Sequence, residues 1–143
     1  MTLNSLTIAR IVTLLTIGLV LAWSDLRTRR IPNKGIALFT LASAAIYIFK
    51  PSQLYVAVVC AILFAILLFP ISLLRHKGLG GGDIKLIIAL ALLLGKVSNI
   101  VAMLTLASLF AAIHLTIDWV RLQIRPNSIA FAPALIAGAL LSL

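Results

Sequence analysis

Acidic side chains are almost missing. Of 143 residues none is glutamate and only three are aspartate, namely Asp25, Asp83 and Asp118. Any carboxylate chemistry must draw on these three. A single cysteine, Cys60, lies within an apolar run, which excludes an intrachain disulfide and a cysteine metal site. It reads as a small buried or lipid-facing residue. The two histidines, His76 and His114, stand far apart and suggest no metal cluster, so neither a metal nor a cofactor is expected. Charged residues of both signs make up 10% of the chain, against about 25% in soluble domains. That leaves little room for a soluble domain.

What is present is hydrocarbon. The hydrophobic share is 63% and the mean hydropathy +1.22, which places the chain among integral membrane proteins. Six apolar segments emerge: Leu3 to Trp23, Gly35 to Phe49, Leu54 to Leu74, Asp83 to Leu94, Ile100 to Val120 and Ile129 to Leu143. A spanning helix needs about 20 apolar residues. The first, third and fifth segments meet that length, whereas the second, fourth and sixth are short. The expected fold is an all-α, polytopic helix bundle of about six transmembrane helices, forming one membrane domain over residues 1–143. Short helices leave room for tilt or a thinned region. Arg10 precedes an apolar run that mimics a signal peptide, but the exit through Trp23-Ser24-Asp25 carries no small-residue cleavage pattern. The stretch therefore reads as a retained first helix.

The formal net charge of +9 would suggest nucleic acid in a soluble protein. In a membrane protein it reflects the excess of Lys and Arg in cytoplasmic loops, and no nucleic-acid partner is expected. Arg27, Arg29, Arg30, Lys34, Arg75, Lys77, Lys85, Arg121 and Arg125 fall on one side. Lys50 and Lys96 fall on the other. This bias puts both termini outside and Asp25 and Asp83 at the cytoplasmic face, with Asp118 near the inner end of the fifth segment. The outer surface is otherwise committed to the lipid bilayer.

The most unusual stretch is Gly78-Leu79-Gly80-Gly81-Gly82-Asp83-Ile84-Lys85-Leu86. It holds four of the eight glycines and sets a carboxylate at the edge of an apolar segment. Such a group is costly unless paired or used. Glycines ahead of it admit close backbone approach, and irregular backbone at membrane depth implies a water-filled cleft. The plain alternative is an acidic residue favoured by a helix N-terminus. For Asp25 the plain alternative is a loop carboxylate balanced by Arg27, Arg29 and Arg30. Pro32 disfavours helix at Ile31, so Asp25 to Lys34 is expected as a loop or broken turn. Two carboxylates sharing a site hold one proton between them and can supply both the base and the acid of peptide hydrolysis. On charge and topology alone the partner of Asp83 is either Asp25 or Asp118. His114 and Asp118, spaced i and i+4, read as a structural polar pair. Lys85 lies off the helical face of Asp83 and reads as interfacial. Arg10 either snorkels outward or faces the bundle interior. Pro126-Asn127-Ser128 is expected to start and cap the last helix.

The glycine–aspartate stretch resembles the G-x-G-x-G-D-x-K-L motif of bacterial prepilin peptidases, which are intramembrane aspartyl proteases. Asp25, with Pro32 and Asn33, resembles the second motif of that family, D-x(6)-P-[ND]. Ile129-Ala130-Phe131-Ala132-Pro133 is a weaker match to the P-[FY]-[GA]-P segment of the last helix, with Ala130 in place of the first proline. The resemblance implies Asp25 and Asp83 as the catalytic pair, and Gly78, Gly80, Gly82, Lys85, Pro32 and Asn33 as motif residues that admit substrate. It implies a substrate as well: the short basic leader of a type IV prepilin or pseudopilin, cut at the cytoplasmic face of the bacterial inner membrane. The absence of paired CxxC motifs and of a cytoplasmic domain is similar to the short members that serve tight-adherence (Flp) pili, so peptidase activity is expected without methylation. A small proton-coupled transporter, or a non-catalytic pilus-assembly protein, is the alternative. The first would require repeat symmetry, which is not found. The oligomeric state is not readable.

Overall fold

The computed structural model describes residues 5–48, 50–74, 80–122 and 130–143; side chains within 71–74 and 118–122 are left aside. The described residues are helical with no strands. Six helices occur in order: α1 Ser5–Thr28, α2 Asn33–Ala45, α3 Pro51–Leu74, α4 Gly81–Leu94, α5 Val97–Leu122 and α6 Ala132–Leu141. Helices α1, α3 and α5 have 24, 24 and 26 residues, and at 1.5 Å per residue they are about 36–39 Å long. All three contain stretches long and apolar enough to cross a membrane. Helices α2, α4 and α6, with 13, 14 and 10 residues, reach only about 15–21 Å. The protein is thus a multi-pass, all-helical membrane protein in which long and short helices alternate.

Helix α4 is the centre of the bundle. Leu86, Ile87, Ala89, Leu90, Ala91, Leu93 and Leu94 are all buried, and a helix that is apolar all round belongs in an interior. Helices α2 and α3 pack on it, α5 pairs with α6, and α6 returns against α1. The last pairing depends on glycine. A Cβ at Gly138 would lie 2.6 Å from the Met103 carbonyl oxygen, so α6 and α5 touch backbone to backbone. Where α1 meets α6 a π-helical turn occurs at Leu14–Gly18, and a Cβ at Gly18 would sit 3.2 Å from Ile136. Outward faces carry large apolar side chains such as Val20, Leu41, Ile66 and Leu67, all more than 60% exposed. On a soluble surface such patches would drive association; here they face lipid. Trp23 lies toward the C-terminal end of α1 and Tyr55 toward the N-terminal end of α3, and amphipathic rings are enriched at the ends of membrane helices.

Several helix ends differ from the sequence expectation, each for a local reason. Helix α1 runs through Asp25 to Thr28 instead of stopping at the charge cluster. It ends where Arg29 adopts the left-handed conformation, φ 51°, with its N–H on the Asp25 carbonyl at 2.8 Å. Thr28 Oγ1 donates to the Ser24 carbonyl at 2.8 Å and approaches that of Arg30 at 3.2 Å, tying down the turn. Pro32, extended at ψ 127°, sets the start of α2 at Asn33, two residues ahead of the expected Gly35. Helix α2 gives way to a turn after Ala45, short of the expected Phe49. Pro51 begins α3, as proline suits a first helical position. The last helix starts at Ala132, with Pro133 in its first turn, and not at the expected Ile129. Ala130 and Phe131 are non-helical, so a cap at Asn127 or Ser128 does not start it. Those two residues lie outside the described residues.

Candidate active site

Helix length decides where the two motif aspartates fall. Because α1 continues past Trp23, Asp25 sits one turn inside a helix and not in a loop. It is buried, 5% exposed, and a buried carboxylate needs hydrogen bonds. One comes from the far end of the chain: the Ala132 N–H donates to Asp25 Oδ2 at 3.1 Å. Ala132 is the first residue of α6, whose initial N–H groups have no intrahelical acceptor. Asp25 thus caps α6 from another helix, and the N-terminal end of α6 is a setting suited to a charged acceptor.

Asp83 lies in the first turn of α4, outside the three long apolar spans. Its N–H donates to the Gly80 carbonyl at 3.0 Å, and the Gly80 backbone in turn hydrogen-bonds the carboxylate. This is the N-cap geometry of a helix whose cap residue is glycine. A Cβ at Gly80 would approach Asp83 Oδ2 to 3.2 Å, so the missing side chain gives the carboxylate its place. The Asp83 carboxyl is pushed up to about 6, first by burial, second by the charge of Asp25, with the Gly80 hydrogen bond opposing both. The two carboxylates therefore share one end of the bundle and repel each other.

The loop between α1 and α2 closes this end. Gly82 faces Ile31, with a Cβ there reaching Ile31 at 3.5 Å. Lys85 is not merely interfacial: its Nζ donates to Asn33 Oδ1 at 3.0 Å, linking the residues just after Pro32 to those just after Asp83. Among the motif residues, Gly80, Gly82, Asp83, Lys85, Pro32, Asn33 and Asp25 are described, whereas Gly78 lies outside the described residues. So do Arg75, His76 and Lys77. The Asp118 side chain is likewise outside them, which leaves its pairing with His114 unaddressed. His114 itself borders a cavity of about 270 Å³ together with Leu26, Ala130 and Pro133, on the α6 side of the aspartates. No group of three or more metal-ligating side chains occurs among the described residues.

Sequence reasoning missed the Ala132 N–H, because a main-chain donor leaves no trace in residue type. A signal was nonetheless present: Pro133 marks a helix start, and a helix start is where unsatisfied donors occur.

The class of protein follows from this arrangement and from comparison with known proteins. A profile of the type IV leader peptidase family matches residues 12–117, a span that includes both aspartates and their motifs. The chain belongs to that family of peptidases. No curated protein and no solved structure matches it.

Proposed function

We propose that this membrane peptidase is an aspartic-type endopeptidase in which Asp25 and Asp83 form the catalytic pair. The observation that carries the reading is the contrast between two carboxylates at one end of the bundle. Asp25 accepts a main-chain N–H at the positive end of α6, whereas Asp83 is pushed up to about 6 by burial and by Asp25. Two carboxylates set in unlike surroundings can divide the roles of base and acid between them. Asp25, ionised, takes a proton from water as the water oxygen attacks the scissile carbonyl carbon. Asp83, protonated, gives its proton to the carbonyl oxygen, leaving a neutral tetrahedral diol. When the diol collapses, the C–N bond breaks, the proton held by Asp25 passes to the departing amine, and Asp83 recovers its own.

In this reading the substrate is the short basic leader of a type IV prepilin or pseudopilin. It is cut at the cytoplasmic face of the inner membrane, in the manner of the Flp-type members. Support for that side comes from Arg27, Arg29, Arg30, Lys34 and Lys85, which flank the aspartates. Gly80 and Gly82 leave backbone open beside Asp83, and a Cβ at Gly81 meets nothing within 4 Å. That strip suits an extended peptide approaching the pair.

Co-expression with a candidate prepilin tests the reading through the size shift on leader removal. Asp25→Asn and Asp83→Asn each leave the precursor uncut while the protein accumulates in the membrane. Full processing by either variant removes the dyad from consideration.

A further inference from the structure

At the end of the bundle opposite the aspartates lies a second polar construction that peptide hydrolysis does not use. Arg10 sits in the second turn of α1 and is only 8% exposed. Its Nη2 donates to Tyr47 Oη at 2.7 Å, and the Tyr47 hydroxyl donates to the Leu93 carbonyl at 2.7 Å. The guanidinium carbon stands 5.3 Å from the centre of the Tyr47 ring. All of these partners are neutral, and Arg10 Nε, fully buried, has none. Asp25, on the same helix, is 15 residues away, or about 22 Å along the axis. Among the described residues no carboxylate pairs with it, and a buried cation without a counter-ion is strongly unfavourable.

Arg10 lines a cavity of about 430 Å³ shared with Lys50 and Lys96. Thr7, Ser52 and Gln53 add neutral polar groups to the same wall, and among the described residues no carboxylate lines it. The first turn of α3 opens here through Ser52 and Gln53, so a positive helix end accompanies the three cations. Gly95 forms part of the wall: with φ 65°, its absent Cβ leaves room for Tyr47 Oη, which that atom would meet at 2.6 Å. Three convergent cations with hydroxyl and amide donors exceed what the two oxygens of a carboxylate can satisfy. They match a phosphate. The site also lies at one end of α1, α3 and α5, the three membrane-length helices, which is the depth of lipid headgroups.

We propose that this cavity binds a phosphate group, with Arg10 as its buried anchor and Lys50 and Lys96 as its rim. The test uses the full chain purified in neutral detergent, with the thermal unfolding midpoint as the readout. One arm titrates inorganic phosphate against chloride at matched ionic strength. The other titrates phosphatidylglycerol against phosphatidylcholine in mixed micelles. Lys50 and Lys96 are exposed, so the double variant Lys50→Gln/Lys96→Gln is expected to fold.

A saturable rise with phosphate assigns the site to a free anion. A rise with phosphatidylglycerol alone assigns it to a lipid headgroup, and a rise with both makes the headgroup phosphate the recognised unit. In each case the double variant binds roughly thirty-fold more weakly, on the basis of about five-fold per cation. No rise above the matched controls with either probe overturns the proposal, as does a double variant that keeps wild-type affinity. Neither result bears on the aspartate pair, which lies at the other end.

Discussion

Replacing Asp25 by asparagine while watching Asp83 titrate isolates the interaction on which the proposed chemistry depends. Asparagine keeps the size and an acceptor oxygen for the Ala132 N–H, 3.1 Å away in the native protein. What it removes is charge. Asp83 is raised from 3.8 to about 6 by burial, the larger cause, and by Asp25, with the Gly80 backbone bond opposing. Without Asp25 the burial contribution remains and still exceeds that of the hydrogen bond. The Asp83 midpoint therefore falls and settles between 3.8 and about 6. Composition makes this measurable. With no glutamate and three aspartates in the whole chain, 13C-aspartate labelling gives three side-chain carboxyl NMR signals, and two in the variant. The signal lost on Asp83→Asn identifies Asp83. A midpoint in Asp25→Asn that is unchanged or higher than in the wild type refutes the idea that the two carboxylates act on each other.

Four further predictions follow from the geometry. A proton-donating Asp83 is present below its midpoint and lost above it. On a leader-peptide substrate kcat/KM is thus expected to decline as pH rises through about 6, and a flat profile from pH 5 to 8 contradicts the acid role. The same raised carboxyl costs folded-state stability as it ionises, so the thermal midpoint drops as pH climbs from 3.8 toward about 6. Gly138→Ala places a methyl 2.6 Å from the Met103 carbonyl oxygen and is expected to destabilise the protein by about 1–3 kcal/mol, read as a lowered unfolding midpoint in detergent. Lys85→Met and Asn33→Ala each break the 3.0 Å bond between the two motifs. Because both residues are exposed, a double-mutant cycle on stability should give a coupling of about 0.5–1 kcal/mol, and a coupling of zero shows that the bond does not hold in solution.

The fold was largely legible because hydrocarbon length is written directly in the chain. Segments around Leu54 to Leu74 and Ile100 to Val120 read as long helices and are contained in α3 and α5. Helix ends were less legible wherever charge and backbone geometry disagree. Asp25 reads as the end of an apolar run, but a helix stops where its hydrogen bonds do, and that is at Arg29. The motif spacing singled out Asp25, Asp83, Pro32 and Asn33 without reference to how they meet. That meeting depends on tertiary contacts: Lys85 on Asn33, Ile31 against Gly82, and the start of α6 on Asp25. Arg10 was open to two readings, snorkelling outward or facing inward. It faces inward because Tyr47, in the turn that follows α2, is placed to accept from it.

The hydrogen bond between Ala132 and Asp25 also ties the first helix to the last. Everything up to residue 122 carries both aspartates and all three long helices, yet one of those aspartates is still missing its main-chain donor. Without the ten-residue α6, the Asp25 carboxylate would lack the Ala132 N–H from which it accepts in the folded bundle, and a buried acceptor left unmet is unfavourable. Docking of α6 therefore completes the hydrogen bonding of Asp25 as well as the packing of the helices.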